Sequence, residues 1–496
     1  MRKKWWTIFL LPLLFLGACQ EDKADDPERN SVYYQIFVGS FYDSDGDGVG
    51  DLQGVIEKLD YLEDDLGVSG IWLSPIHPSP TYHKYDVVDY YGIDEDFGTL
   101  DDFRELSDEL AEREMDLMMD FIFNHTSSQH PWFLEAKDAV LNDQKSDFID
   151  YYNFSEEQDA GYTALANEIY YESQFWSEMP DLNLDYPAVR DEIEEIAKYW
   201  MEEGVTAFRL DATTHFYENQ IGKNTEILSW FMDTVQAIDE EIYVVGEAWT
   251  GESIVLDMYE SGIDSFFNFA FSQNDGSIVK AINKKSGQGL AEQVFRYQEK
   301  IQEKTPDAVD ALFLSNHDNG RSAAYFANQL DKQKLAASIY LLMPGNSFVY
   351  YGEEIGMLGS GVDENKRLPM EWGEEETEHI PNRYAGANYH EFEIDSVAEQ
   401  LEDEDSLLAH YQEAIQIKNR YPELVEGKLE VLDLDNESIY ALKHDDLLVL
   451  HNFSDKDQTL RLEGEILEEL NDGAEAEGED FVLNPYSSLI IRQDKN

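Results

Sequence analysis

The sequence predicts an α/β protein, a TIM (β/α)8 barrel with a subdomain inserted after the third strand and a C-terminal antiparallel β-sandwich. From Val32 onward, short apolar runs alternate with helical patterns, which is typical of βα units repeated around a parallel sheet. About 80 residues separate the third and fourth runs, far more than a loop and a helix need. After Leu424 the apolar runs become short and turn residues separate them, as in an antiparallel sandwich.

Eight apolar runs are the predicted barrel strands. They are Tyr33–Phe41, Val68–Pro75, Met115–Asn124, Val205–Asp211, Tyr243–Glu247, Ser265–Phe271, Ala311–Asn316 and Ser347–Tyr351. Between the second and third runs, Thr99 and Asp102 have the spacing of a capping box, which predicts that a helix begins there. Phe103, Leu106 and Leu110 then follow at helical spacing.

The predicted domain boundaries follow these changes of pattern. The barrel is predicted in two parts, residues 32–126 and 186–423. The insertion comprises residues 127–185, and the sandwich comprises residues 424–496. The insertion is rich in aromatic and acidic residues without a clear period, so we expect an irregular subdomain over one barrel end. The sandwich is predicted from Leu429–Leu434, Ile439–His444, Leu447–Asn452 and Ser487–Arg492, and the helix before it from Leu407–Tyr421.

Residues 1–18 have the pattern of an export signal, and residues 19–31 that of a polar tether. A basic start precedes an apolar run that ends at Leu16. Small residues then precede Cys19, the single cysteine of the chain, and this resembles the bacterial lipoprotein box. The resemblance implies cleavage before Cys19, a lipid on its sulfur and a location outside the cytoplasmic membrane. An ordinary signal peptide or an uncleaved anchor is the alternative.

The charge balance restricts the partners. There are 35 Lys and Arg against 105 Asp and Glu, a net charge of −70. Such a surface repels nucleic acid and anionic lipid, so neither is an expected surface partner. Its self-repulsion weakens when salt screens it, which favours a salt-rich, halophilic habitat over a merely acidic protein. We expect the chain to act as a monomer.

Acidic residues follow three predicted strands at their C-terminal ends. Arg209 and Asp211 lie two apart in one strand and share a face, so the guanidinium favours the charged carboxylate. Alone, this pair is usually a structural salt bridge. Glu247 and Asp318, however, follow two further strands at the barrel end where enzymes of this fold place their active sites. Clustered carboxylates repel one another, and a protonated acid facing an ionised one suits glycoside cleavage.

The chain closely resembles the α-amylase family of glycoside hydrolases. The resemblance rests on five motifs in family order, namely Asp120–Thr126, Met179–Asn183, Phe208–Ala212, Gly246–Trp249 and Asn316–Asp318. It implies Asp211 as the nucleophile, Glu247 as the general acid/base and Asp318 as the residue that grips and distorts the sugar ring. It also implies that Arg209, His125 and His317 line the same subsite. In a retaining mechanism, the two carboxyls that react should lie about 5–5.5 Å apart.

A tyrosine-rich segment after the second strand adds substrate contacts. Tyr85 and Asp86 occupy the family positions of a tyrosine that stacks on the sugar and an aspartate that meets its hydroxyls. Aromatic faces suit the C–H faces of glucose, and carboxylates accept its hydroxyl protons. Arg367 is expected near the site, paired with Asp86. Ordinary barrel packing is the alternative.

An acidic loop after the first strand, residues 43–51, predicts a calcium site. Its oxygen donors are Asp43, Asp45, Asp47, Asp51 and the carbonyl of Val49, with glycine at the sixth position. Gly54 stands where an EF-hand has its bidentate glutamate, so this is a calcium loop of another kind, or else a solvated acidic turn. By resemblance, a second calcium would be held by Asn124, Asp181 and the carbonyl of His215.

The substrate is inferred from three positions. Ala212 follows the proposed nucleophile, and in the family a small residue there accompanies α-1,4 bonds. Met179–Asn183 resembles the group intermediate between oligo-1,6-glucosidases and neopullulanases. Thr214 stands where many α-amylases have a lysine that touches sugar beyond the cleavage point. This leaves the balance between endo-cleavage, trimming and glycosyl transfer open.

The expected function is therefore that of a lipid-anchored, calcium-stabilised, endo-acting α-amylase that cleaves starch-like α-glucans with retention. An α-glucosidase or neopullulanase-like hydrolase with transfer activity is the alternative enzyme. A maltodextrin-binding lipoprotein or an inactive amylase-like subunit is the alternative of another class. Both would be expected to lack at least one acid, whereas Asp211, Glu247 and Asp318 are all present.

Overall fold

A computed structural model describes residues 32–166, 168–389, 394–471, 473–477 and 480–493. The predicted signal, the tether and Cys19 lie outside the described residues. Within them, no helix is both long enough and apolar enough to cross a membrane.

The strands of the barrel and its insertion follow one another along the chain. They are β1 Val32–Ile36, β2 Gly70–Leu73, β3 Asp116–Phe121, β4 Phe154–Ser155, β5 Tyr162–Ala166, β6 Ile169–Glu172, β7 Ala207–Leu210, β8 Tyr243–Gly246, β9 Ser265–Phe266, β10 Ala311–Phe313 and β11 Asn346–Tyr350. Eight of them pair in parallel in the order β10-β11-β1-β2-β3-β7-β8-β9. A parallel bridge between Phe267 and Ala311 joins the two ends. The predicted eight-stranded barrel is thereby confirmed.

Helices lie between the strands, and their bounds are as follows. They are α1 Leu52–Glu57, α2 Leu100–Glu112, α3 Pro131–Leu141, α4 Pro187–Glu202, α5 Ile221–Gln236, α6 Glu252–Met258, α7 Ser277–Lys284, α8 Gly287–Lys304, α9 Leu330–Leu342, α10 Asp363–Lys366, α11 Val397–Leu401, α12 Leu407–Arg420 and α13 Glu423–Glu426. The capping box of α2 forms as predicted, because Thr99 and Asp102 each accept a hydrogen bond from the other's backbone N–H. It satisfies two N–H groups that the helix itself cannot bond.

The barrel interior is apolar in its lower layers and polar at the top. A buried cluster inside the barrel comprises Tyr33, Trp72, Met118, Ala207, Val245, Phe267, Ala311, Phe313 and Phe348. Side chains two residues apart on a strand share a face. Asp120, Arg209 and Glu247 lie two residues beyond inward-facing Met118, Ala207 and Val245. The strand alternation therefore delivers charged groups to the C-terminal end of the barrel.

The insertion carries α3 and a three-stranded antiparallel sheet of order β4-β6-β5, more regular structure than its sequence pattern predicts. Backbone hydrogen bonds hold it to the barrel: Thr126 donates to Pro180 at 3.1 Å and Leu182 donates to Asn124 at 2.9 Å. The segment after β3 and the end of the insertion are thus fixed together beside the polar end of the barrel.

The C-terminal part contains two antiparallel sheets, as predicted. Its strands are β12 Leu429–Val431, β13 Ile439–His444, β14 Leu447–Asn452, β15 Gln458–Arg461, β16 Glu465–Leu470, β17 Ala474–Glu477, β18 Asp480–Leu483 and β19 Ser488–Arg492. The sheet orders are β12-β13-β14-β19-β16 and β15-β18-β17. Side chains of both sheets share one apolar core. The first turn of α8 packs against β13 through Gly287, where an added Cβ would lie 2.3 Å from the backbone nitrogen of Tyr440.

Candidate active site

One cavity of about 370 Å³ at the C-terminal end of the barrel contains the predicted acids. Asp211 directly follows β7 and Glu247 directly follows β8, two strands that pair in parallel. Asp318 lies in the segment after β10 and reaches the same space. The cavity lining is completed by His83, Tyr85, His125, Phe175, Met179, Ala212, Thr214, His215, Trp249, Asp363 and Arg367.

The guanidinium of Arg209 joins three carboxylates. Its Nη1 donates to Asp120 at 2.7 Å and to Asp211 at 2.8 Å, and its Nη2 lies 3.0 Å from Glu247 Oε2. The arginine is 1% exposed, so solvent does not screen these contacts. The planar fork of arginine suits this arrangement, because its N–H groups point at separate acceptors at once. Asp211 and Glu247 are thereby held by one cation.

The pKa values of both acids are raised. Burial raises the pKa of Asp211, and the Arg209 guanidinium opposes this without reversing it. The pKa of Glu247 is also raised, first by burial, with Arg209 opposing and the charge of Asp211 adding to the rise. Arg209 favours the charged form of Asp211, as expected, but burial outweighs it, so the guanidinium does not by itself keep this carboxyl ionised. Because the charge of Asp211 disfavours a second charge on Glu247, the pair favours one ionised and one protonated carboxyl.

Asp318 is held in its charged form. Burial alone would raise its pKa, but His317, Arg367 and Arg209 together place the pKa below its ordinary value. Arg367 Nη2 donates to Asp318 Oδ1 at 3.1 Å, and His317 Nε2 lies 3.2 Å from Asp318 Oδ2. Gln35 donates to His317 Nδ1 at 2.7 Å, which leaves the ring proton on Nε2, facing the carboxylate.

Tyr85 links the two sides of the cavity. Its hydroxyl donates to Asp120 Oδ2 at 2.9 Å and lies 2.6 Å from His317 Nε2, and its ring stacks on the His317 ring with centroids 5.4 Å apart. Burial raises the pKa of Asp120 to about 7, against the opposing effect of Arg209. Sequence reasoning missed Asp120 and Gln35 as site residues. The signal for Asp120 is its place two residues after inward-facing Met118, near the C-terminal end of β3.

Asp86 and Arg367 do not pair, and that expectation is wrong. Asp86 is 0% exposed, its Oδ1 accepts hydrogen bonds from Ser79 at 2.7 Å and from Thr81, and it is absent from the cavity lining. Arg367 instead donates to Tyr82 at 3.0 Å and to Asp318. Asp86 therefore braces the segment that presents Tyr85, whereas Arg367 braces Asp318.

Histidine and aromatic side chains form the other walls. His125 Nε2 lies 3.2 Å from the carbonyl of Tyr85, and burial lowers the pKa of its imidazole to about 4, so it is neutral at pH 7. Phe175, from the insertion, packs on the His215 ring with centroids 4.9 Å apart. The indole of Trp249 is 51% exposed and stacks on Phe269 at 4.9 Å. Phe175 and Trp249 were not predicted as site residues, although Trp249 lies within a quoted motif.

The acidic loop fits a calcium ion in part. Carboxylate oxygens of Asp43, Asp45 and Asp51 lie within 4.8 Å of one another, and three anionic oxygen donors suit calcium. Asp47 does not join them; its Oδ1 accepts the backbone N–H of Val49 at 2.8 Å. If calcium binds, these three residues would hold it, and the ion would neutralise their mutual repulsion.

At the predicted second metal position, Asn124 Nδ2 donates to Asp181 Oδ1 at 3.4 Å, a long contact. Burial raises the pKa of Asp181 well above its ordinary value. The other carboxylate oxygen accepts the backbone N–H of Gln174 at 3.0 Å. His215 lines the catalytic cavity, and its ring packs on Phe175. Asn124 and Asp181 are thus brought together, while a ligand role for the His215 carbonyl stays a prediction.

Comparisons with known proteins match both parts of the chain. Residues 35–427 match the family described as alpha amylase, catalytic domain. Residues 439–490 match the alpha-amylase SusG C-terminal domain.

Relatives cover nearly the whole chain. "Alpha-amylase 3" of Dictyoglomus thermophilum is 37% identical over 94% of this chain and 93% of its own length. An oligo-1,6-glucosidase of Parageobacillus thermoglucosidasius is 29% identical over 88% of this chain and 92% of its own length. The solved structure of Amy13B from Eubacterium rectale has a TM-score of 0.92 at 37% identity, covering 95% of this chain and 96% of that one.

Proposed function

The chain belongs to the α-amylase family of glycoside hydrolases, and from this premise we propose that it is a retaining enzyme that cleaves α-1,4-glucosidic bonds of starch and maltooligosaccharides. The observation that carries the proposal is the contact of Arg209 with both Asp211 and Glu247. The same cavity is lined by Asp318, so the three acids face one space large enough for a sugar ring.

The residues have complementary roles in the proposed double displacement. A carboxylate oxygen of Asp211 attacks the anomeric carbon, the glycosidic C–O bond breaks, and the departing oxygen takes the proton of Glu247. A water molecule then gives a proton to Glu247 and its oxygen to the anomeric carbon, which releases Asp211. The raised pKa of Glu247 suits an acid that must hold its proton until the first step.

The remaining polar groups position the ring. Asp318 is ionised and braced by Arg367 and His317, so it can accept sugar hydroxyl protons in a fixed direction. Tyr85 presents an aromatic face on the same side, which suits the apolar face of glucose. Preorganised groups of this kind contribute to catalysis because they need not rearrange during the reaction.

Endo-cleavage of α-1,4-glucans is the favoured specificity. It rests on Ala212 after the nucleophile and on a relative named alpha-amylase at 37% identity. The alternative is an α-glucosidase or neopullulanase-like hydrolase with transfer activity. A relative named oligo-1,6-glucosidase and the absence of a lysine at Thr214 favour that alternative. A purely binding role is disfavoured because all three acids are present and converge.

A product time course tests the proposal. An endo-acting amylase releases maltooligosaccharides early from soluble starch, whereas release of glucose alone would reject it, and maltotriose and pullulan identify the alternative enzymes. Glu247→Gln keeps the shape of the side chain but removes the acid, so we expect a loss of about 10²–10⁴-fold in turnover with an unchanged circular dichroism spectrum. Unchanged turnover would reject the assignment of Glu247.

We also propose that the protein is exported, held to the membrane by a lipid on Cys19, monomeric and stabilised by calcium at Asp43, Asp45 and Asp51. The lipoprotein-like segment before Cys19 supports the anchor. Incorporation of labelled palmitate that is lost in Cys19→Ser would support it, and labelling that persists would reject it. Sedimentation of the detergent-solubilised protein measures the oligomeric state.

A further inference from the structure

A second cavity, of about 390 Å³, is lined by residues from the segments that follow β9, β10 and β11. It is called here the polar cavity, and it is lined by Gln273, Asn274, Asp275, Asn319, Gly320, Ala324, Tyr325 and Ser360. Its size falls in the range of small-molecule sites, about 300–1,000 Å³. None of its lining residues takes part in the proposed catalytic steps.

The polar cavity is joined to the active site through the chain itself. Asn319 and Gly320 directly follow Asp318, and Ser360 lies three residues before Asp363. Asp318 and Asp363 line the catalytic cavity, and Lys366 ties them together by donating to the Asp318 carbonyl at 2.7 Å and to Asp363 Oδ1 at 2.8 Å. Two segments of the chain therefore border both cavities: the one that begins at Asp318 and the one that ends at Asp363.

The lining selects a neutral, hydroxyl-rich ligand. It offers three carboxamides, a serine hydroxyl, a tyrosine and one carboxylate, and none of the described residues that line it is Lys, Arg or His. Phosphorylated or carboxylated ligands would find no cation to pair with. Amide and hydroxyl groups, which both donate and accept hydrogen bonds, match sugar hydroxyls.

Two of the walls are held in place before any ligand binds. The hydroxyl of Tyr325 donates to the carbonyl of Gly320, which fixes its ring against the segment that follows Asp318. Gln273 has a φ of +69°, a conformation uncommon for a non-glycine residue. Its backbone N–H donates to the carbonyl of Leu314 at 3.0 Å, which fastens this wall to the segment after β10.

We propose that the polar cavity is a docking site for an α-glucan chain, separate from the site of bond cleavage. The inference rests on the proposed function, because the ligand it names is a longer segment of the same substrate. A chain bound at both cavities gains affinity from the second contact, whereas a chain too short to span them does not. The polar cavity should thus favour long chains over short ones.

Three variants test the site without touching the catalytic residues. Ala324→Trp fills the cavity from an exposed position, Asn274→Ala removes an exposed amide, and Tyr325→Ala removes the aromatic wall. Tyr421→Ala is the matched control, a half-buried tyrosine that is absent from both cavity linings. Ala324→Trp and Asn274→Ala keep the test valid if Tyr325→Ala fails to fold.

The experiment measures KM for soluble starch and for maltotriose. It also measures binding of maltoheptaose to the Glu247→Gln background by calorimetry. We expect the cavity variants to weaken maltoheptaose binding and raise KM for starch by about 5–10-fold, as for loss of a stacking or hydrogen-bonding contact. Their kcat, and KM for maltotriose, should stay within twofold of the unsubstituted enzyme. Equal effects on both substrates, or no effect on either, would overturn the proposal, whereas an unsubstituted protein inactive on all α-glucans would instead overturn the proposed function.

Discussion

The guanidinium of Arg209 lies 3.0 Å from the carboxylate of Glu247 and also donates to Asp211 at 2.8 Å. One buried cation therefore contacts both acids and opposes the rise in pKa that burial causes in each. Its third partner, Asp120, anchors it to the neighbouring strand. Lysine could not replace it, because a single ammonium cannot direct separate N–H groups to three carboxylates held in this arrangement.

We therefore predict that Arg209→Lys lowers kcat/KM by about 100-fold or more, the cost of small misplacements at a reacting centre. At least one carboxyl loses its cation, so its pKa rises further. The acid limb of the pH–rate profile should move to higher pH where that carboxyl is Asp211, and the alkaline limb where it is Glu247. Arg104→Lys, at an exposed ion pair with Glu203, is the control and should leave the profile unchanged. A normal profile in Arg209→Lys would contradict the role given to Arg209.

Glu354 lies outside the lining of the catalytic cavity, and its burial predicts that the stability of the protein depends on pH. It is fully buried, its Oε1 accepts from Tyr34 at 2.6 Å and Tyr61 at 2.9 Å, and its Oε2 has no hydrogen-bond partner among the described residues. Burial raises its pKa from 4.5 to about 7. Because the folded state holds the proton more tightly than the unfolded state, this group costs stability progressively as pH rises from about 4.5 to about 7.

Glu354→Gln keeps the hydrogen-bonding shape and removes that cost. The variant should match the unsubstituted protein near pH 4.5 and be more stable by up to about 3 kcal/mol at pH 8. Urea unfolding at both pH values measures this. Glu375→Gln removes the same charge from an exposed position and is the control. A variant that is destabilised at pH 8 would show that the carboxyl of Glu354 is charged and useful there.

The acidic loop offers an internal control for calcium. Asp45 converges with Asp43 and Asp51, whereas Asp47 does not. Calcium that binds the folded loop raises Tm by mass action, and a chelator should reverse this. Asp45→Asn should abolish the calcium-dependent part of Tm, and Asp47→Asn should retain most of it. Equal losses in the two variants, or no calcium effect in the unsubstituted protein, would reject this site.

The charge of −70 predicts a dependence on salt. Repulsion among surface carboxylates is screened as the Debye length falls from tens of ångströms in dilute buffer to about 3 Å at 1 M salt. Tm and activity should therefore rise between dilute buffer and molar NaCl. The same series with a neutral osmolyte separates screening from general exclusion effects. Independence of salt would remove the support for a halophilic habitat.

The barrel could be predicted from the sequence because each of its strands is indicated by the alternation of a few neighbouring residues. Alternation places Met118 and Asp120, or Ala207 and Arg209, on one face of a strand, and parallel pairing then brings the strand ends together. Every predicted barrel strand is present, but several end early; the first ends at Ile36 rather than Phe41. The residues beyond the strand ends leave the sheet to form loops around the cavity.

The contacts between loops could not be predicted in this way. Arg367 and Asp318 lie in segments that follow different strands, and which carboxylate the arginine meets depends on how those segments fold. Asp86 instead accepts hydrogen bonds from its neighbours Ser79 and Thr81 through one carboxylate oxygen. Phe175 comes from the insertion, whose sequence has no period to indicate which side chains reach the barrel. The polar cavity likewise draws on segments that no single motif connects.

Asp211 and Glu247 are proposed to act on opposite sides of one anomeric centre, with retention of its configuration. Proton NMR of the first product formed from maltotetraose measures this directly, before mutarotation mixes the anomers. With retention, the new reducing end should appear first as the α-anomer. First appearance of the β-anomer would contradict it.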